Sequence, residues 1–232
     1  MWAGPDTLST VSGLFISFEG GDGAGKSTQV RLLAQWLREE FGREVVTTRE
    51  PGGTELGRTL RNELLHGQDI DARTEALLFA ADRAHHVFTL IRPALARGAV
   101  VLTDRYLDSS VAYQAAGREL AAEDVERLSR WGTNGLMPAL TVLLDLPTEQ
   151  LAQRLGEQAA DRMERAGMEF HRRTRQAFLD RATAEPQRWL VLDADGSREQ
   201  IAQQVRAAVE PLLSHDVPGG SPPGPSVQEA GP

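Results

Sequence analysis

The chain has 232 residues, its hydrophobic (41%) and charged (25%) fractions are typical of one globular domain, and the absence of cysteine excludes a disulfide framework, a thiolate zinc site and a cysteine nucleophile. The formal charge of −8 argues against a general binder of nucleic acid or anionic membranes, and no apolar run approaches the roughly 18 residues of a membrane span. Since the start of the chain carries no secretory signal, we expect a soluble, cytoplasmic protein that binds neither nucleic acid nor membranes.

The two ends of the chain differ from its middle in composition. Residues 1–12 are rich in small and turn-forming types, which predicts a loose extension. Residues 214–232 are dominated by proline and glycine, and such a segment buries too little apolar surface to offset its ordering entropy, so we expect a disordered tail. The folded domain is therefore predicted at 13–213, without an internal repeat or linker.

Five short apolar runs in this domain predict β-strands. In chain order they span residues 14–18, 45–48, 99–103, 141–146 and 189–192. Continuous apolar runs are typical of parallel strands that are buried on both faces of a sheet.

Helical patterns separate the predicted strands. Apolar residues recur at three- and four-residue spacing through 30–41, and the pattern stops at Gly42. A second helix follows Asp71, a suitable N-cap, and runs towards Pro93, and a last helix spans 197–213. The alternation predicts an α/β fold with helices on both faces of a parallel sheet, in which ligands bind at the carboxyl ends of the strands.

The segment after the first strand fits the phosphate-binding pattern G-x-x-x-x-G-K-[ST]. It comprises Gly20, Gly21, Asp22, Gly23, Ala24, Gly25, Lys26, Ser27 and Thr28. Glycines let the backbone wrap around phosphates, the ammonium of Lys26 would reach the outer phosphates, and the Ser27 hydroxyl would bind Mg²⁺. Lys26 is the only lysine among 25 basic residues, so an ammonium stands where this loop needs one. The pattern predicts binding of a nucleoside triphosphate, and the alternative is a plain glycine-rich turn.

Charged residues follow the later strands. Asp104 ends the third strand, where an acid near such a loop helps to bind the metal, although many strands end in aspartate only to begin a turn. Arginines follow the second, third and fourth strands, namely Arg49, Arg105, Arg154, Arg162 and Arg165. Convergent guanidinium groups suit an acceptor that is itself a phosphate. With one lysine the chain lacks the N-K-x-D motif of regulatory GTPases, so the residues favour a kinase of a nucleotide or another phosphorylated metabolite.

Three segments resemble one kinase family. Residues 104–114 (DRYLDSSVAYQ) resemble the thymidylate kinase signature D-R-[FYH]-x-x-S-x-x-A-[YF]-Q without a mismatch, and residues 48–54 (TREPGGT) and 74–83 (TEALLFAADR) are similar to segments of the bacterial enzymes. The resemblance runs from Phe15 to the last helix. It implies a P-loop kinase fold with a five-stranded parallel sheet and a mobile lid, a homodimer, and transfer of the ATP γ-phosphoryl group to dTMP with Mg²⁺.

The resemblance also implies roles at the acceptor base and sugar. Phe79 would stack on thymine, Arg83 would hydrogen-bond to the base edge, Ser110 and Gln114 would face the base, and Tyr113 would pack near the sugar. From the residues alone, Phe79 and Tyr113 are equally explained as core packing. Likewise Arg83 is explained as a solvated charge beside a neighbouring acid, and Ser110 and Gln114 as helix-surface residues.

For the acceptor phosphate, the resemblance implies a clamp of Arg105 and Arg49, with Arg61 as a further arginine. A charge on a solvated helix face explains Arg61 as well. Asp22 would accept a hydrogen bond from the sugar 3′-hydroxyl or orient a phosphate-binding arginine. Glu50 would help to hold the water shell of the magnesium ion or Arg49.

The lid at 151–165 departs from the family pattern. The P-loop has Gly23 in place of an arginine, as in the bacterial enzymes whose lid supplies the arginine that contacts the transferring group. Those lids carry several arginines in close succession. Here Arg154 fits the family positions best, followed by Arg162 and then Arg165.

The resemblance implies catalysis by positioning and charge neutralisation. The residues implied to act in this way are Lys26, Arg105, Arg154 and Arg162. No general base is assigned, because the attacking phosphate oxygen is already deprotonated near neutral pH. Two alternatives remain, namely a kinase of another nucleoside monophosphate such as dUMP or dGMP, and a non-enzymatic P-loop module that binds nucleotide.

Overall fold

A computed structural model describes residues 13–118, 120–155, 163 and 166–213, and the predicted extension and tail lie outside them. The strands are β1 (Phe15–Glu19), β2 (Val45–Arg49), β3 (Val100–Asp104), β4 (Leu140–Asp145) and β5 (Trp189–Asp193). They form one parallel sheet in the order β2-β3-β1-β4-β5. The predicted α/β class and five-stranded parallel sheet are confirmed.

Helices cover the sheet in the described part of the chain. The α-helices are α1 (Lys26–Phe41), α2 (Glu55–His66), α3 (Ala72–His86), α4 (Arg92–Ala96), α5 (Leu107–Ser110), α6 (Ala122–Gly132), α7 (Thr148–Leu155), α8 (Met168–Ala184) and α9 (Arg198–Leu213). A π-helical turn at Val87–Ile91 joins α3 to α4, and another at Val111–Gly117 continues α5. None of these helices combines the length and hydrophobicity needed to span a bilayer.

The two faces of the sheet carry separate apolar layers. On β1, Ile16 and Phe18 pack in one cluster with residues of α1 and α9. Phe15, which points to the opposite face, packs in a second cluster with Ile91 and Tyr106 from the α3–α5 side. The three central strands β1, β3 and β4 are therefore buried on both faces, as their apolar composition indicates. The expectation is wrong for the edge strands β2 and β5, where residues such as Thr47 and Val191 are exposed because no further strand covers that side of the sheet.

Most predicted boundaries agree with the structure to within one residue. Four strands extend one residue further than their apolar runs, because a polar residue at the carboxyl end still pairs through its backbone, as Arg49 does with Asp104. Gly42 ends α1 in the left-handed region at φ 58°, and Asp71 caps α3 by accepting from the backbone N–H of Thr74. The second helix does not stop near Pro93, since the π-helical turn carries the chain into α4, where Pro93 occupies the first turn and needs no N–H donor.

The order of the strands decides where a ligand can bind. β1 lies between β3 and β4, so the chain leaves β1 towards one edge of the sheet and later returns to the other side of β1. The carboxyl ends of β1 and β3 open a crevice at this reversal. The P-loop follows β1 and the segment 104–114 follows β3, so the two motifs lie side by side.

Candidate active site

The P-loop surrounds its lysine. The Nζ of Lys26 donates to the carbonyl oxygens of Gly20 (3.0 Å) and Gly21 (2.8 Å) and lies 3.9 Å from Oδ1 of Asp22. Burial lowers the pKa of Lys26, and the charge of Arg105 lowers it further. Gly25 caps α1 at φ 97°, a left-handed conformation that glycine adopts without a Cβ penalty. The predicted strand, loop and helix are all present, with the lysine held inside the loop, and this is the context that a phosphate-binding loop requires.

The two predicted metal ligands touch each other. The hydroxyl of Ser27 donates to Oδ2 of Asp104 at 2.6 Å across the crevice between β1 and β3. A hydroxyl beside a carboxylate at the phosphate loop fits Mg²⁺, which binds one or two protein oxygens together with phosphate oxygens and water.

A second cleft lies beside the P-loop and is largely apolar. Its empty volume is about 510 Å³ including the open mouth, and it is lined by Asp22, Glu50, Pro51, Arg61, Leu65, Phe79, Arg83, Arg105, Tyr106, Ser109, Ser110, Tyr113, Gln114 and Met163. We call it the acceptor pocket. Five residues predicted for the base and sugar, from separate helices, line its wall together. Phe79 is half-buried in this wall, so it is not simply a core residue.

Arg83 is held rigidly at the acceptor pocket. Its guanidinium, 2% exposed, donates to Oε2 of Glu50 (2.7 Å), Oγ of Ser129 (2.9 Å) and Oγ of Ser110 (3.0 Å). The solvated-charge explanation of Arg83 is therefore wrong. Glu50 also binds Nδ1 of His86 (2.9 Å), and this ring is 0% exposed. The family resemblance implies that Glu50 helps to hold Arg49 or the magnesium water shell. In the structure its carboxylate instead binds Arg83 and His86.

Ser110 and Gln114 are buried, at 2% and 1% exposure, so their assignment to the helix surface is wrong. Nε2 of Gln114 donates to Oε1 of Glu75 at 3.1 Å. The π-helical turn displaces the usual helical spacing here, yet both side chains still reach the acceptor pocket.

Arg105 connects the acceptor pocket to the P-loop. Its Nη2 donates to Oδ1 of Asp22 (2.8 Å) and to the hydroxyl of Tyr113 (3.1 Å), and its Nη1 donates to Oγ of Ser109 (3.0 Å). Burial alone would raise the pKa of Asp22, but the charges of Arg105 and Lys26 hold it well below its usual range. Of the two roles implied for Asp22, the orientation of an arginine is therefore present.

The backbone of Arg105 is left-handed, at φ 70°, which is uncommon for a residue with a side chain. Three hydrogen bonds hold it there. The N–H of Arg105 donates to the carbonyl of Phe18 (2.9 Å), the Thr103 hydroxyl donates to the carbonyl of Arg105 (2.9 Å), and the N–H of Tyr106 donates to Oε1 of Glu19 (2.8 Å). This conformation directs the guanidinium back towards the P-loop.

The remaining predicted arginines differ in how they are held. Arg61 is half-buried and donates to the carbonyl of Pro51 at 3.0 Å, so it is not a solvated charge. Arg49 is exposed at the end of β2 and lines the cleft over the P-loop. Arg154 is 37% exposed and donates to Oδ1 of Asp195 at 3.2 Å, in the same cleft. Arg162 and Arg165 lie outside the described residues.

The two clefts meet at a small set of charged residues. The cleft over the P-loop, which we call the donor cleft, is lined by Gly23 to Gln29 and by Arg49, Asp104 and Arg154. Four residues line both clefts, namely Asp22, Glu50, Arg61 and Arg105. Two ligands bound in the two clefts would therefore face each other across these groups.

Most of this chain is similar to proteins of one known family. The family model described as thymidylate kinase matches residues 18–205. A thymidylate kinase of Clavibacter sepedonicus is 57% identical over 209 residues, covering 88% of this chain and 98% of that protein. The chain belongs to the thymidylate kinase family. One of Bifidobacterium longum subsp. infantis is 58% identical over 212 residues, covering 89% and 90%. The crystal structure of the thymidylate kinase from Ehrlichia chaffeensis superposes with a TM-score of 0.71 at 33% identity, covering 85% of this chain and 98% of that one.

Sequence reasoning missed a buried acid that shapes the site of this family member. Glu19 ends β1 at 0% exposure and accepts from the N–H of Tyr106 and the hydroxyl of Ser109, two neighbours of Arg105. Burial, together with the nearby Asp108, raises its pKa to about 8. An acid that closes an apolar strand directly before the P-loop was the available signal.

Asp108, a second missed acid, lies at 0% exposure on α5 and binds Arg181 of α8 (2.7 Å) and Arg188 (2.7 Å). This pairing ties α8, the helix that follows the lid segment, to the helix that carries the acceptor residues. The partners are 73 and 80 residues away in sequence, so no local pattern predicts them.

Proposed function

We propose that the chain phosphorylates dTMP in the acceptor pocket with ATP bound in the donor cleft. A member of the thymidylate kinase family, it is a phosphotransferase that converts dTMP to dTDP, a step in dTTP synthesis. The observation that carries the assignment of the site is the set of residues shared by the two clefts, Asp22, Glu50, Arg61 and Arg105. Direct transfer between two nucleotides requires that their phosphates meet, and the boundary between the two clefts would allow them to meet beside these residues.

The acceptor pocket supplies what a pyrimidine base needs. Phe79 would stack on the ring, and the Arg83 guanidinium, next to Ser110, would donate to the base edge. Gln114 would face the same edge, and Tyr113 would pack beside the sugar. The apolar wall with a few fixed polar groups is typical of pockets that bind one small ligand in one orientation.

The acceptor phosphate would be held by arginines. Arg105, already paired with Asp22 at 2.8 Å, would contact it with Arg49 and Arg61. A guanidinium group can bind two oxygens of one phosphate and neutralise part of their charge. This would fix the position of the attacking oxygen and reduce the electrostatic repulsion between the acceptor phosphate and ATP. The attacking oxygen is ionised near neutral pH, so no side chain has to remove a proton.

The donor side would hold Mg-ATP. Backbone N–H groups of the P-loop and the ammonium of Lys26 would bind the phosphates, and the oxygens of Ser27 and Asp104 would hold Mg²⁺, directly or through its waters. When bound, Mg²⁺ neutralises charge on the phosphate oxygens. Arg154, with Arg162 of the lid, would contact the transferring group, and closure of the lid would exclude water and suppress ATP hydrolysis.

The test is ADP release from Mg-ATP with dTMP, dUMP, dGMP, dCMP and AMP as acceptors. Strong stimulation by dTMP, weaker by dUMP and little by the others is expected. A larger response to dGMP or AMP would instead favour a kinase of another nucleoside monophosphate. ATP binding without stimulation by any acceptor would favour a nucleotide-binding module and overturn the proposal.

We further propose that the enzyme is a homodimer. Three large apolar side chains are in contact with solvent on this side of the molecule. They are Leu77 on α3 (55% exposed), Phe88 in the π-helical turn after α3 (65%) and Trp131 on α6 (81%). Helices α3 and α6 pack together, since a Cβ at Gly132 would lie 3.3 Å from that of Ala84. A second copy would cover these side chains.

Sedimentation tests the dimer. The parent chain should sediment as a dimer that Leu77→Arg converts to a monomer, whereas Leu56→Arg on α2 should leave the dimer intact. A monomeric parent chain would contradict the proposal.

We place this activity in the cytoplasm, where its nucleotide substrates occur, and expect it to involve small molecules and no nucleic acid. Fractionation of cells that express the full chain would test this location. Recovery of the kinase activity in a membrane fraction would contradict it.

A further inference from the structure

The amide of Gln114 lies between the acceptor pocket and a buried carboxylate. Gln114 lines the pocket, and its Nε2 donates to Oε1 of Glu75 at 3.1 Å. Its oxygen, Oε1, accepts no hydrogen bond from another described residue, and it is not among the polar atoms sealed from solvent. The nitrogen therefore faces the protein interior, and the oxygen is the atom left to face a ligand.

The chemistry of Glu75 fixes this direction. A carboxylate accepts hydrogen bonds and has none to donate, whereas a side-chain amide has a donating end and an accepting end. If the amide rotated by half a turn, its oxygen would meet a carboxylate oxygen about 3.1 Å away, and the hydrogen bond to Glu75 would be lost. One of the two orientations of Gln114 is therefore strongly preferred before any substrate binds.

Glu75 is itself held in place. It is 0% exposed on α3, and its carboxylate accepts from the guanidinium of Arg118 at 3.3 Å on both oxygens. Arg118 stacks at 5.0 Å from the ring centroid of Phe170 on α8. Oε1 of Glu75 thus accepts from Gln114 and from Arg118, and the carboxylate lies between the two side chains.

The direction of this amide matters because pyrimidines differ at position 3. Thymine and uracil carry an N–H there, which needs an acceptor, whereas cytosine carries a lone pair, which needs a donor. We propose that Glu75 is a positioning residue that determines base specificity: by orienting the Gln114 amide, it makes the acceptor pocket select bases with an N–H at position 3 and reject cytosine. This inference rests on the proposed assignment of the acceptor pocket.

The first experiment compares the full-length enzyme with Glu75→Gln, using dTMP and dCMP as acceptors with Mg-ATP. A glutamine at position 75 is close in size but can present either a donor or an acceptor, so Gln114 is free to turn. We expect kcat/KM for dTMP to fall about tenfold, mainly through KM, and the ratio of dTMP to dCMP to fall at least as much. Equal losses for both nucleotides, or no change in the ratio, would overturn the proposal.

A double-mutant cycle tests whether Glu75 acts through Gln114. If it does, Glu75→Gln should have little further effect on dTMP turnover in a Gln114→Ala background, because the oriented group is already absent. If the two substitutions reduce dTMP turnover independently, so that the fold-losses multiply in the double variant, the positioning role of Glu75 is overturned. Gln114→Ala alone examines the pocket itself, so an unchanged KM for dTMP in that variant would refute the proposed site rather than the role of Glu75.

A matched control separates the hydrogen bond to Gln114 from the ion pair with Arg118. Arg118→Gln removes the cation but leaves Glu75 and Gln114 in place, and we expect the ratio of dTMP to dCMP to stay within about twofold of the parent. A ratio that collapses here as in Glu75→Gln would assign the effect to the ion pair and overturn the proposal. If Glu75→Gln fails to fold, Glu75→Asp, which keeps the charge but shortens the reach, should give the same narrowing of the ratio, and an unchanged ratio would overturn it.

Discussion

In the acceptor pocket, Arg83 is 2% exposed and donates to Glu50, Ser129 and Ser110, whereas in the donor cleft Arg154 is 37% exposed and donates to Asp195. The family resemblance implies a role in the site for both arginines, Arg83 at the base edge and Arg154 at the transferring group. Their surroundings nevertheless differ, since one is fixed by partners on three sides and the other lies at the surface.

This difference separates recognition from closure. A buried guanidinium held by several hydrogen bonds is already oriented when the acceptor arrives, so little conformational entropy is lost on binding. The exposed Arg154, on the part of α7 that belongs to the lid segment, can leave its partner at small cost, since exposed ion pairs contribute little to stability. Substitutions on the acceptor side should therefore affect stability and acceptor affinity together, and those on the donor side should affect turnover alone.

The largest expected effect is at the boundary between the two clefts. Arg105→Ala removes the guanidinium proposed to hold the acceptor phosphate, and kcat/KM for dTMP should fall about 10³-fold while the Kd for ATP changes little. Steady-state kinetics and ATP titration measure the two quantities. Arg97→Ala, which removes an arginine 49% exposed and paired with Glu44, is the matched control and should behave like the parent. Equal losses of ATP binding and dTMP turnover would contradict the assignment.

Glu50→Gln tests the buried arginine of the comparison, Arg83. It leaves the charge of Arg83 buried without its counterion, which should cost about 3 kcal/mol of unfolding free energy. Urea unfolding checks this. The control is Glu44→Gln at the exposed pair with Arg97, with a cost below about 0.5 kcal/mol. Similar costs in the two variants would remove the energetic distinction between the buried and exposed pairs.

Arg154→Ala tests the exposed arginine of the comparison. We expect kcat to fall about 30-fold, equivalent to about 2 kcal/mol of transition-state stabilisation, while the KM for dTMP and the urea midpoint stay close to the parent values. Arg172→Ala, 57% exposed and paired with Glu149 outside both clefts, provides the control. A loss of stability with an unchanged kcat would assign Arg154 a structural role and contradict its place at the transferring group.

The smallest expected effect is a pH dependence of stability. Burial, and then the charge of Glu50, raise the pKa of Asp82 to about 6, against the lowering influences of His86 and Arg83. The folded state therefore binds this proton more tightly than the unfolded state, so the contribution is present below about pH 4 and is lost as the pH rises through about 6. Asp82→Asn should flatten this decline, because the amide has no proton to lose in this pH range. Urea unfolding at several pH values measures it, and an undiminished slope in the variant would contradict the role of Asp82.

Residues whose role depends on short spacing could be predicted from the sequence. The P-loop, the strand before it and the helix after it lie within one short stretch, and Gly42 and Asp71 act on helices directly adjacent to them. The segments 48–54, 74–83 and 104–114 could be recognised for the same reason. The π-helical turns could not, because they appear only when the helices are packed together.

The sequence alone located the phosphate loop and the family segments, since these are local patterns of residue type and spacing. The tertiary structure decided how those residues are held. Arg83 meets Glu50 from 33 positions before it and Ser129 from 46 positions after it. Gln114 meets Glu75 across 39 positions. Hydrogen bonds and burial depend on distance in space, and only the folding of the sheet and its helices brings these distant side chains to one pocket.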